Sequence, residues 1–108
     1  MSLDIWLTVI PDEPAAVTVF DANYTHNVTP MWHKAGIYDA LYMSDGKTAA
    51  DVLPALRAGL ADMQAKHDEY TDLDASNGWG TYATALPWLE ELVAAFEANP
   101  KGRIHVCK

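Results

Sequence analysis

The chain reads as a single α+β domain over residues 1–108: a small three-stranded antiparallel sheet with about three helices packed on one face. Three observations predict this class. Two segments near the start alternate apolar and polar residues with the period of half-buried strands. The middle of the chain carries apolar stripes at helical spacing. A third alternating segment, Arg103-Ile104-His105-Val106-Cys107, ends the chain, and the order of two strands, helices and a strand puts the helices on one side of the sheet.

The first strand is marked by Leu3, Ile5, Leu7 and Val9, with Asp4, Trp6 and Thr8 between them. Pro11-Asp12-Glu13-Pro14 is a turn, since neither proline can donate to a ladder. Val17, Val19 and Asp21 then alternate with Thr18 and Phe20. The expected hairpin has one apolar face, with Trp6 and Phe20 as neighbours on the other. That second face is a candidate surface for a homo-oligomer.

Thr29-Pro30 is a helix start, with Thr at the cap and Pro where its missing N–H does no harm. Met31, Ala35, Tyr38 and Tyr42 form its stripe, and Gly36 either ends this helix or kinks it. Ser44-Asp45-Gly46-Lys47 is a turn. Thr48 to Asp51 has the form of a capping box with Asp in place of Glu. Val52, Leu56, Leu60, Met63 and His67 mark the next stripe. Pro54 makes the helix start late or bend near Ala50. Gly59 falls inside it, which points to the close approach of another backbone. A polar loop over residues 71–80 precedes the last helix, with Tyr82, Leu86, Leu89, Val93 and Phe96 on its buried side and Pro87 in its first turns. Thr84 serves as its cap if the regular helix begins there, Trp88 is either core or pocket wall, and Asn99-Pro100 stops it.

Half of the residues are apolar and a fifth charged, which is the composition of a folded domain, and the formal charge is −8. That balance argues against nucleic acid and against anionic membrane surfaces. No apolar run approaches the roughly 20 residues of a membrane span. The start, MSLDIWLTV, lacks the basic region of a signal peptide, so the expectation is a cytoplasmic protein. Cys107 is the only cysteine, excluding an internal disulfide, and reads as a packed thiol on a strand.

Two stretches carry more hydrogen-bonding side chains than packing needs. Asp21 to His33, DANYTHNVTPMWH, holds two His, two Asn, two Thr, a Tyr, a Trp and an Asp. Each such group buried without a partner costs about 1–3 kcal/mol. Asn77, Trp79 and Tyr82 stand in the second stretch, SNGWGTY, where two glycines flank a Trp suited to stacking. The expectation is that the two meet around one pocket. Asn23, Thr25, His26, Asn27 and Asn77 would supply donors and acceptors, and Tyr24, Trp32, Trp79 and Tyr82 flat faces. Turns and caps account for these residues taken singly, but less well taken together. His26 is the candidate for acid–base work, because imidazole titrates near neutrality. No metal-ligand spacing such as HExxH or CxxC is present, and no GxxxxGK or GxGxxG loop, so no metal or cofactor is expected.

NYTHNV followed by MWHKAGIYDALY, then GKTAADVLPALRAGLADM, then LDASNGWGTYATALPWLEEL, resembles a family of small accessory proteins of bacteriophages and prophages, common in those of actinobacteria. The likeness covers nearly the whole chain and is most specific at Asn23, Thr25, His26, Asn27, Trp32 and Gly36, and at Asn77, Gly78, Trp79, Gly80 and Tyr82. It implies a phage accessory role in the host cytoplasm and a shared site, and by analogy the sequestering of a nucleotide-derived immune signal. Three functions follow as expectations. The first is a non-enzymatic protein binding a small polar, nucleotide-derived ligand. The second is an acidic protein that inhibits a host protein, and the third a small enzyme using His26 as acid or base.

Overall fold

The computed structural model describes residues 2–9, 17–75, 77–78 and 80–108. Strands β1 (Ser2–Val9), β2 (Val17–Thr25) and β3 (Arg103–Cys107) form one antiparallel sheet in the order β2-β1-β3. Five helices lie between β2 and β3: α1 (Thr29–Ala35), α2 (Tyr38–Tyr42), α3 (Ala49–Ala65), α4 (His67–Thr71) and α5 (Tyr82–Ala98). The α+β class and the three-stranded sheet are those the sequence predicts. The helix count is higher because Gly36 and Lys66 each end a helix that the apolar stripe alone would have continued. No helix among the described residues is long and apolar enough to cross a membrane. The expected turn at Pro11 to Pro14 lies outside the described residues.

Leu3, Ile5 and Leu7 of β1 and Ile104 of β3 point inward and are buried with the helices' apolar faces. This is the period-two pattern doing what its alternation requires. On β2 the register departs from expectation. Leu7 pairs with Phe20 but Thr8 pairs with Thr18, so Val19 has no residue opposite it. That one-residue slip exchanges the two faces. Phe20 therefore turns inward and meets Phe96 edge-on at 6.4 Å, while Val17 and Val19 are exposed. Trp6 stands on the outer face without Phe20, stacked instead on His105 at 5.3 Å. Cys107 is exposed on β3, because its strand ends on the face that no described helix covers, and is not the packed thiol expected from sequence.

The long helices α3 and α5 lie against each other. Thr48 caps α3, and the Asp51 carboxylate accepts the Thr48 backbone N–H at 3.0 Å, as the capping-box spacing predicts. Pro54 sits inside α3, whose regular turns begin at Ala49 rather than later. Thr81, not Thr84, caps α5. Gly59 is where the end of α1 crosses α3: a Cβ there would lie 2.2 Å from Ile37 Cγ2 and 3.0 Å from the Ala35 carbonyl oxygen. The close approach read from the sequence is therefore met by the chain just after α1.

Two outcomes test this packing. Gly59→Ala is expected to destabilise the domain by about 1–3 kcal/mol in urea unfolding, because overpacking outweighs the roughly 1 kcal/mol of helix propensity gained. Hydrogen bonds from the Thr48 backbone and side chain hold the Asp51 carboxyl below its ordinary range. Its contribution is thus present above the unfolded carboxylate pKa, about 3.9, and lost as pH falls through the lower folded value. Asp51→Asn should accordingly lower the urea midpoint at pH 7, with the difference from wild type closing below about pH 4.

Candidate functional site

β2 delivers the first polar segment to the rim of the sheet. The strand runs to Thr25, whose Oγ1 accepts the Asn27 backbone N–H at 3.2 Å and opens a single 3-10 turn over His26–Val28. Val28 buries itself beneath the turn and His26 is left half-buried at its edge. From there α1 carries Met31 and Trp32 into the core. It stops at Gly36, where φ is 75°, a left-handed conformation that favours glycine. The Ile37 N–H reaches back to the Trp32 carbonyl at 2.9 Å and the Gly36 N–H to that of His33 at 3.1 Å, the Schellman pattern of a helix end.

That reversal brings the His33 ring flat against Tyr38 at 4.2 Å. Tyr38 and Tyr42, one turn apart on α2, stack at 4.5 Å and 7°. The far side of Tyr42 meets His26 at 5.3 Å. Four rings thus form one column, His33–Tyr38–Tyr42–His26. At its inner end the Tyr42 hydroxyl and His26 Nδ1 are 2.7 Å apart. Burial, with the neighbouring Tyr38, pushes the Tyr42 phenol up to about 12; its hydroxyl donates to Nδ1 in the imidazole tautomer protonated at Nε2 and accepts in the other.

His26, Thr29, Tyr38, Tyr42 and Lys108 line an open recess of about 390 Å³. The Lys108 ammonium is held there by the Tyr42 carbonyl oxygen at 3.0 Å and by Met43 Sδ at 3.2 Å. A larger concavity, about 520 Å³, lies on the outer face of the sheet among Asp4, Trp6, Thr18, Asp21, Asn23 and Cys107. The first is the better site, because hydrogen-bonding groups from separate parts of the chain converge in it around a fixed imidazole.

The predicted residues divide between places. The two polar stretches do meet: a Cβ on Gly80 would lie 2.7 Å from Val28 Cγ1 and 2.8 Å from Thr25 Cγ2. The Tyr24 hydroxyl also lies 2.5 Å from Thr84 Oγ1, at the start of α5. The contact is side-by-side packing, and no described residue of the second stretch lines the His26 recess. Trp32 is fully buried, in a cluster with Tyr24 at 6.1 Å and Trp88 at 5.7 Å, so it offers no face to a ligand. Tyr82 is buried too and donates to the Met63 carbonyl at 2.6 Å. Asn23 is on the outer sheet face, donating to Asp4 at 2.7 Å and to Ser2 at 3.1 Å. Thr25 and Asn27 make the turn, Asn77 stands exposed on its loop, and Trp79 lies outside the described residues.

Of the expected residues that are described, then, His26 alone lines the recess. Tyr38 and Tyr42 carried a signal, since their four-residue spacing allows ring stacking, but the same spacing reads as core. Lys108 had none, because only the return of β3 beside α2 brings it there. Among the described residues no group of three or more His, Cys, Asp or Glu is placed to hold a metal ion. No family model, curated protein or solved structure matches the chain.

Removing the phenol oxygen tests the hydrogen bond that orients the imidazole. Tyr42→Phe is expected to cost about 1 kcal/mol in urea unfolding. Long-range nitrogen–proton NMR of His26 should then show a larger share of the Nδ1–H form.

Proposed function

We propose that this protein binds a small polar ligand in the recess beside His26 without turning it over. The observation that carries this reading is the imidazole itself, half-buried, fixed through Nδ1 by a buried phenol and opening on a cavity formed by three separated parts of the chain. Binding sites combine an apolar wall with a few placed polar groups, and here Tyr38 and Tyr42 give the wall while His26, Thr29 and Lys108 give the polar groups. The volume, about 390 Å³, falls within the range of small-molecule sites and matches one nucleotide-sized or smaller ligand. The resemblance to phage accessory proteins favours a nucleotide-derived signal, held away from its host receptor, as the occupant.

A thermal-shift screen against nucleotides, cyclic nucleotides and small organic acids tests this. A ligand at 100 times its Kd should add about 2.7 kcal/mol of stability. The shift should disappear in His26→Ala and persist in Asn23→Ala, whose side chain is on the other side of the sheet. Flat responses across the screen would remove the reading.

A further inference from the structure

The stacked part of the column leaves little of the Tyr38 faces to a ligand. His33 and Tyr42 stack on Tyr38, at 13° and 7°, while His26 is tilted 38° to Tyr42 and bonded to its hydroxyl. A planar group cannot slide between these rings, so what the recess offers is ring edges and polar hydrogens. Those polar groups are of one kind. In the tautomer that accepts from Tyr42 at Nδ1, His26 Nε2 carries a proton; Lys108 carries three, and the Thr29 hydroxyl one. Among the described residues neither His26 Nε2 nor the Thr29 hydroxyl has a hydrogen-bond partner. The ammonium of Lys108 has a carbonyl and a thioether but no carboxylate.

Lys34, Arg57 and Lys66 are each paired with a carboxylate, at 3.1, 3.2 and 2.9 Å, whereas among the described residues Lys47, Lys101 and Arg103, like Lys108, have no such ion pair. Lys108 is instead held over a recess whose lining includes no acidic residue. An ammonium, an imidazole N–H and a hydroxyl around one space match the acceptors of a carboxylate or phosphate.

Resting on the reading of the recess as a binding site, we infer that the group it recognises is an oxyanion, the carboxylate or phosphate of a small acid, bound by Lys108, His26 Nε2 and Thr29. The rest of the ligand extends along the edge of the Tyr38–Tyr42 pair rather than between rings. Selectivity then comes from the charged head, and one site serves for ligands that share it.

The test is an NMR titration of the whole chain with inorganic phosphate, acetate and neutral acetamide, following His26, Thr29 and Lys108. Saturable shifts confined to these residues are expected with phosphate or acetate and not with acetamide. The tighter of the two anions identifies the head group. Lys108→Gln, at an exposed position, should leave the thermal midpoint unchanged and weaken anion binding about tenfold or more. Acetamide binding as well as acetate, or Lys108→Gln binding anions as wild type does, would overturn the oxyanion assignment while leaving the recess a binding site. Silence toward all three probes, together with a flat thermal-shift screen, would remove both.

Discussion

The arrangement of this molecule depends on one reversal of the chain, the left-handed turn at Gly36. With φ at 75°, the residue closes α1 by returning two backbone N–H groups to carbonyls of its last turn. An L side chain at this position would carry a steric cost that glycine avoids. The turn sends Ile37 into the notch that Gly59 leaves on α3, and the lack of a side chain at Gly59 makes that crossing possible. It also folds α2 back so that Tyr38 comes to rest on His33. Packing of the helical layer and assembly of the candidate site are consequences of the same few dihedral angles.

Hydrogen-bonding aromatics are distributed among three separate settings. Tyr70 and Tyr82 are structural: their hydroxyls answer Asp62 and the Met63 carbonyl and close the end of α3 against α4 and α5. Tyr24, Trp32 and Trp88 fill the junction between β2, α1 and α5. The column ending in His26 lines the recess, as Trp6 lines the concavity on the outer sheet face. The density of such groups in the sequence therefore has two causes, and burial separates them. A phenol whose proton goes to a carbonyl has completed its task, whereas one whose proton goes to a half-buried imidazole fixes a group that can act on something else.

Much of the fold could be read from local pattern. Leu3, Ile5 and Leu7 alternate cleanly and are buried as their spacing requires, and Asp51 three residues after Thr48 does form the expected cap. Gly59 announced a close contact, though not its partner. Phe20 was misplaced because the unpaired Val19 shifts the register, and nothing local distinguishes a slipped strand from a regular one. For the site, His26 could be chosen because its chemistry is rare and its neighbours polar. Trp32 and Tyr82 were chosen on the same grounds, yet they belong to the interior. Residue type tells what a side chain can do, and only the tertiary path tells whether it meets solvent. Lys108 shows the converse, an ordinary residue given a role by the strand that places it.

The two borders of the sheet are treated differently. Along β3 the segment from Ser44 to Thr48 acts as a strap: Gly46 N–H reaches the Ile104 carbonyl at 2.8 Å, the Ile104 N–H reaches Lys47 at 2.8 Å, and Asp45 accepts from Val106 at 2.8 Å. Among the described residues no such cover lies along β2, which pairs with β1 alone and exposes Val17 and Val19. Among the described residues the open line of entry for an additional strand is therefore along β2. Two copies joined there about a twofold axis would each cover the β2 margin of the other, leaving the strapped β3 as the border at both ends of the joined sheet.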